Sequence, residues 1–395
     1  MTQTLRQLSL PSWPVFEADE IEAVQQVLLS GKVNYWTGTE ARDFEREYAL
    51  ALGVPFAVAL HNGTVALELA LYALGVGSGD EVITTPRTFI ASASAAVMRG
   101  AVPVFADIDP DSGNITAQSI RAVITPRTRA IIVVHLAGWP AEMDEIMALA
   151  AEHHLYVIED CAQAHGATYR GRLVGSIGHA GCFSFCQDKI MTTGGEGGLL
   201  VTRDEALWAR AWAFKDHGKS FDAVYHREHP PGFRWLHESF GTNWRMLEMQ
   251  AAIGRLQLRK LPGWVSQRRA NAGVLLERLA DQQVLRLPQP GPHSEHAYYK
   301  FYGYLRPERL APGWSRDRVM SELLSRGVPT FTGSSPEVYL EQAFVTAGLG
   351  PRQRLGTARE LGETSLMWQV HPTLGRAEMQ GVADQILEVL TLAAN

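Results

Sequence analysis

FSFCQDKIMTTGGEGGLLVT, residues Phe183 to Thr202, sets a single cation, Lys189, between a short apolar run and a cluster of four glycines. The apolar run, which carries one hydroxyl at Ser184, reads as a buried strand, and the glycines supply backbone that can approach a neighbour closely. A solubilising lysine needs no such surroundings. A lysine amine that works as a nucleophile does, because an imine with an aldehyde holds that aldehyde in place. The glycines do not fit a P-loop, since no Gly-Lys-Ser/Thr follows. Nor do they fit the dinucleotide fingerprint, since no G-x-G-x-x-G opens a helix here.

Upstream, from Phe16 to about Leu200, helical patterns such as EADEIEAVQQVLLS and EARDFEREYALAL alternate with the short runs PFAVAL, DEVITTP, AVPVFADID, RAIIVVHL, LYVIED and GCFSF. Continuous Val, Ile and Ala in the strands, with helices between them, predict an α/β fold with a mostly parallel sheet covered on both faces. Four of these runs end in a polar residue: His61, Asp107, His135 and Asp160. Ligands of open α/β sheets sit beyond the carboxyl ends of the strands, although any one such residue can simply mark where a strand leaves the core.

Downstream, LEMQAAIGRLQLRKLPGWVSQRRANAGVLLERLA reads as a long helix broken near Pro262. AYYKFYGYL then alternates like a strand, and SRDRVMSELLSRG and AEMQGVADQILEVLTLA are amphipathic helices. A large domain over 1–261 and a smaller α+β domain over 262–395 are expected. Phe221 to Gly241 has no period and reads as a long loop, too aromatic to be disordered.

The composition is that of a soluble globular protein, 46% hydrophobic and 20% charged. With 36 basic and 42 acidic residues the net charge is −6, so no overall field draws the chain to nucleic acid or an anionic membrane. MTQTLRQLSLPSWPVF lacks the apolar core of a signal peptide, and the other apolar runs are too interrupted to span a bilayer. Cys161, Cys182 and Cys186 form no even disulfide framework, which points to the cytoplasm. A zinc site from these cysteines and His165 lacks the paired close spacing of structural zinc, so no metal is expected.

Two more segments carry chemistry. In HNGTVALELALYALG a strand end is followed by Asn62, Gly63, Thr64 and a helix whose free N–H groups suit a phosphate, though the same residues also make an ordinary cap. In VIEDCAQAHGA a carboxylate, Asp160, ends an apolar strand and needs a positive partner. A protonated ring nitrogen is one such partner, and the anion keeps that ring an electron sink. A salt bridge would serve equally well. Gln163 and His165 are spaced so that one of them can meet the other edge of such a ring.

The ordered set Asn62-Gly63-Thr64, TFIASASAA, EDCAQAHGA, SFCQDKIMTTGGEGG and GTNWRM, with FEREYA near the start and SLMWQVHPTL near the end, resembles the pyridoxal-phosphate-dependent sugar aminotransferases of the DegT/StrS type. The resemblance covers nearly the whole chain. It implies the aspartate-aminotransferase-like fold (fold type I) and a homodimer with active sites at the subunit interface. It makes Lys189 the lysine that forms the imine with pyridoxal 5'-phosphate and shuttles the proton, and Asp160 the partner of the pyridine nitrogen. Gln163 would lie near the ring hydroxyl and Phe89 would stack on the ring. Gly63, Thr64 and Ser184 would hold the phosphate, joined by Asn243 from the neighbouring subunit. Dehydratases of the family carry histidine at the lysine position, so Lys189 implies transamination through pyridoxamine 5'-phosphate.

Arg245 is a candidate for the amino donor's carboxylate, with a helix-capping salt bridge as the alternative. His217, Lys219 and Arg234, in or beside the long loop, are candidates for a substrate diphosphate. The implied substrates are an amino acid, glutamate foremost, and a nucleotide-linked keto-deoxyhexose of surface-polysaccharide synthesis; a cyclitol ketone or an aminohydroxybenzoate precursor is the alternative.

Overall fold

A computed structural model describes residues 8–394. The first seven residues, part of the opening segment read for a signal peptide, and residue 395 lie outside the described residues. A seven-stranded sheet organises the larger part of the chain in the order Phe56–Leu60, Gly198–Thr202, Ala180–Ser184, Tyr156–Asp160, Thr128–Val134, Glu81–Thr84 and Val102–Phe105. Neighbours are parallel except around Gly198–Thr202, which runs antiparallel to both its partners. No helix lies between Ala180–Ser184 and Gly198–Thr202 to carry the chain back across the sheet, so the second strand returns antiparallel. Lys189 sits in that return, beyond the carboxyl end of the first strand.

Alternate side chains serve opposite faces, as the strand period requires. Val82, Ile132 and Ile158 join one buried cluster beneath the helices Gly63–Ala73 and Ala91–Met98. Ile83, Ile131, Val133 and Val157 join another against Met143–Glu152. Both faces are therefore covered, as the unbroken apolar runs predict. A second, four-stranded antiparallel sheet, ordered Leu285–Arg286, Phe301–Leu305, Ser365–Trp368 and Thr330–Phe331, packs with the helices Arg316–Ser325 and Arg376–Ala393 around Phe301, Leu366 and Trp368.

The break expected near Pro262 is absent. One helix runs from Glu248 to Arg278 straight through it. Pro262 lies on the exposed face of this helix, where water can take the carbonyl that proline cannot bond, and packing against Ala18–Ser30, Glu40–Leu52 and Arg376–Ala393 holds the rest. Leu261 and Val265 belong to the large cluster, whereas Ala272 and Leu275 belong to the small one. A division at 262 would cut a helix that both clusters share.

The long loop is partly ordered: Ser220 caps a short helix, Phe221–Tyr225, whose Phe221 ring meets Trp212 at 5.0 Å between centroids. Further along, Phe233, Trp235 and Phe240 stand exposed. At the other end of the chain an arm spans the two units. Leu8 N donates to Arg326 O, Thr373 Oγ1 donates to Ser12 O (3.0 Å), and Trp13 Nε1 donates to the carbonyl of Lys189 (2.8 Å). Among the described residues no helix is long and apolar enough to cross a membrane.

Candidate active site

A cavity of about 950 Å³ opens at the carboxyl ends of the central strands, between the two sheets. Its floor is built from the strand ends. Asp160, the last residue of its strand, is buried and bonded twice: Oδ2 accepts from Ser92 Oγ (2.7 Å) and Oδ1 from the Ala162 N–H (3.1 Å). Burial pushes its carboxyl above the ordinary value, and Ser92, Ala162 and the nearby Lys189 charge only partly oppose this. Such a group gains from a cationic partner.

Lys189 faces the same cavity, with Nζ 3.5 Å from the Tyr299 hydroxyl and 4.0 Å from Asp188 Oδ1. Gln163 is oriented from behind: Oε1 accepts from the Ala137 N–H (2.7 Å), which turns the amide nitrogen toward Ser334 Oγ at 3.5 Å. Phe89 lines the wall although 66% exposed, the exposure of an aromatic with one face uncovered.

Gly63 opens the helix Gly63–Ala73, and Asn62 caps it by accepting from the Val65 N–H at 3.0 Å. A Cβ at Gly63 would lie 2.6 Å from Ser184 Cβ, so only glycine lets the helix start meet the strand end. Gly198, in the quoted cluster, has the same function: its Cβ would stand 2.1 Å from Asn62 O. Free N–H groups, Thr64 and the Ser184 hydroxyl thus converge at one end of the cavity and form a seat for an anion. With a carboxylate, an amine and a helix-start anion seat lining one cavity, the residues fit pyridoxal phosphate.

His165 turns away from the cavity. Its Nε2 faces the Ser184 carbonyl and its Nδ1 the Tyr48 hydroxyl, both at 2.9 Å. A carbonyl can only accept, so Nε2 carries the hydrogen and Tyr48 donates to Nδ1. Burial pushes the pKa of this ring down to about 4. His165 therefore supports Ser184 from beneath the floor, and both of its nitrogens are unavailable to a metal shared with Cys161, Cys182 and Cys186. Nearby, His135, Glu159 and Cys161 converge closely enough for a metal ion. Glu159 is already occupied by His135 Nε2 (3.0 Å) and by the N–H groups of Gly175, Ile177 and Gly178.

The remaining expected residues do not line this cavity within one chain. Arg245 Nη1 binds the buried Asp216 at 2.6 Å, and Lys219 Nζ binds the same oxygen at 3.1 Å. Asn243, His217 and Arg234 lie exposed elsewhere. In their place the segments around the four-stranded sheet supply Tyr299, Lys300, Tyr302 and Ser334, residues that no local motif had marked. Ser92 was also unmarked, although it lies within TFIASASAA.

The model of the DegT/DnrJ/EryC1/StrS aminotransferase family matches residues 14–387. The dTDP-3-amino-3,4,6-trideoxy-alpha-D-glucose transaminase of Streptomyces venezuelae is 37% identical over 94% of this chain and 92% of its own. A UDP-N-acetyl-3-dehydro-alpha-D-glucosamine 3-aminotransferase of Acidithiobacillus ferrooxidans is 37% identical over 89% of each. Among solved structures, an aminotransferase from Psychrobacter cryohalolentis superimposes with a TM-score of 0.96 at 56% identity, covering 98% of this chain and all of that one. DesV of S. venezuelae, solved in complex with a ketimine intermediate, gives 0.84 at 35% identity over 94% of each chain. The architecture is accordingly fold type I. A strand-end aspartate and a lysine lining one cavity, on a chain matched almost from end to end, make this protein an aminotransferase of the DegT/DnrJ/EryC1/StrS family.

Proposed function

We propose that the protein is a pyridoxal-phosphate-dependent transaminase that moves an amino group from L-glutamate to the ketone of a nucleotide-linked keto-deoxyhexose, for surface-polysaccharide or related amino-sugar synthesis in the cytoplasm. The observation that carries this reading is the single cavity shared by Asp160, Lys189 and the Gly63–Ser184 seat. The substrate class is supported by relatives named for dTDP-, UDP- and GDP-linked amino sugars. A second reading, a cyclitol ketone, is favoured by a 38% identical relative named as a putative L-glutamine:3-amino-2,3-dideoxy-scyllo-inosose aminotransferase.

Pyridoxal phosphate, when bound, supplies an aldehyde that condenses with amines and a ring that accepts the electron pair left by a departing proton. The Asp160 carboxylate would hold a proton on the ring nitrogen, which is what makes the ring an effective acceptor. Lys189 Nζ would take the proton from the donor's α-carbon and return it one carbon further on, reversing the transfer for the sugar. Gln163 would donate from Nε2 to the ring hydroxyl and Phe89 would cover one face. The phosphate would rest on Gly63, Thr64 and Ser184, with Asn243 reaching it from a second subunit of a homodimer. His217, Lys219 and Arg234 would meet the substrate diphosphate from the loop side.

The test is optical. The protein should turn yellow with pyridoxal phosphate and bleach on addition of glutamate, and Lys189→Ala should abolish both changes. A protein that stays colourless sinks the reading. UDP, dTDP or GDP should bind the nucleotide-sugar enzyme; indifference to all three would favour the cyclitol.

A further inference from the structure

Besides Lys189, one more ammonium lines the cavity among the described residues. Lys300 immediately precedes the strand Phe301–Leu305 and enters from the small domain. Its Nζ stands 3.6 Å from Asp188 Oδ2 and 4.6 Å from the centre of the Tyr299 ring. That oxygen already accepts the Tyr299 hydroxyl, and Lys189 approaches the other oxygen at 4.0 Å. An ammonium has three N–H donors, and this one contact is longer than a charge-assisted hydrogen bond. Burial pushes the pKa of Lys300 down, with the Asp188 charge resisting. A cation with little water and few acceptors gains most when a new anion arrives.

Lys189 and Lys300 approach one carboxylate, one at each oxygen, so their nitrogens are spaced to share a single small anion. An amino acid brings such an anion to this place. Its α-carboxylate is bonded to the carbon that carries the amino group, and that amino group must arrive where Lys189 Nζ stands. A sugar diphosphate is held farther from the reacting ketone by the bonds of the sugar ring. Arg245 and Lys219 are engaged by Asp216, and neither lines the cavity within the chain.

We infer that Lys300 binds the α-carboxylate of the amino donor, with Asp188 and Tyr299 holding its ammonium in place between substrates. This rests on the reading of the protein as an amino-acid-dependent transaminase.

Two measurements test it on the protein as purified. Acetic anhydride labelling, read residue by residue by mass spectrometry, should show Lys300 protected by glutarate and not by UDP or dTDP. Calorimetry should show Lys300→Met binding glutarate about tenfold to a hundredfold more weakly, the loss of one charge-assisted contact, while Lys300→Arg stays within a few-fold of wild type. UDP and dTDP affinities should not move in either variant. Protection by the nucleotides instead of glutarate would assign the anion to the diphosphate and overturn the inference. Unchanged glutarate affinity in Lys300→Met would overturn it too, as would a loss seen only in Arg245→Met. If Lys300→Met does not fold, protection in the wild type still decides. A protein that stays colourless with pyridoxal phosphate refutes the proposed function; a yellow one whose Lys300 is unprotected refutes only the role of Lys300.

Discussion

At position 63 one methyl group is enough to spoil the anion seat. Gly63→Ala would place a Cβ 2.6 Å from Ser184 Cβ, and the neighbouring backbone cannot give way cheaply. Titration followed by absorbance should show pyridoxal phosphate affinity falling by about tenfold or more, with the circular dichroism unchanged. Below the floor, His165 sets a pH dependence. Its pKa is near 4 in the folded protein and ~6.5 in an unfolded chain. Between those values the unfolded chain takes a proton that the folded one refuses. The stability linked to His165 is therefore complete above pH ~6.5 and is lost as the pH falls toward 4, on the order of 3 kcal/mol for one such group. His296, held near 3, and His371, held near 4, add to the same slope. Urea midpoints should fall across this window, and His165→Asn should flatten the fall whatever its own cost. That Gly63, Asp160, Ser184 and Lys189 would gather at one place was legible because each lies at or just beyond a strand end, and all four line the cavity. The orientation of His165 was not, because it is set by the Ser184 carbonyl and by Tyr48 from a distant helix, both remote in sequence. Lys300 left no sign either, since it enters from beside the second sheet in a segment that reads merely as a strand.

Among the elements, the helix Glu248–Arg278 carries the largest departure from the sequence reading. The sequence pattern predicts a long helix broken near Pro262, yet an exposed proline in a helix clamped on several sides costs less than the packing it would have to undo. The adjacent Gly263 is also exposed, and a Cβ there would meet nothing within 4 Å. Gly263→Ala should stabilise the protein by about 0.5–1 kcal/mol, seen as a higher urea midpoint with the same slope. A drop would mean that the helix needs its local flexibility. The parallel strands were readable because burial on both faces writes itself as unbroken Val and Ile. The antiparallel return of Gly198–Thr202 was not, because strand direction depends on what the connection contains.

For the molecule as a whole, the proposed homodimer, in which each chain would complete its neighbour's site, would account for the exposed Phe233, Trp235 and Phe240 and for Asn243, which does not line the cavity of its own chain. Lys189→Ala and Asn243→Ala, each impaired alone, should regain activity when unfolded and refolded together, because one site of each mixed pair then carries neither substitution. Sedimentation of the refolded mixture should show dimers, and activity that never exceeds the separate variants would exclude sharing. The expected sharing rests on the family resemblance and on no local pattern, since it would depend on which surfaces of two folded copies meet. The arm that carries Leu8, Ser12 and Trp13 adds something of another kind. Through the Trp13 indole it clasps the main chain of Lys189 itself, while its other bonds reach Arg326 and Thr373. An expression clone whose start is moved past Trp13 would therefore leave the reactive amine on a slack tether, and an apparently harmless trim would read out as a dull enzyme.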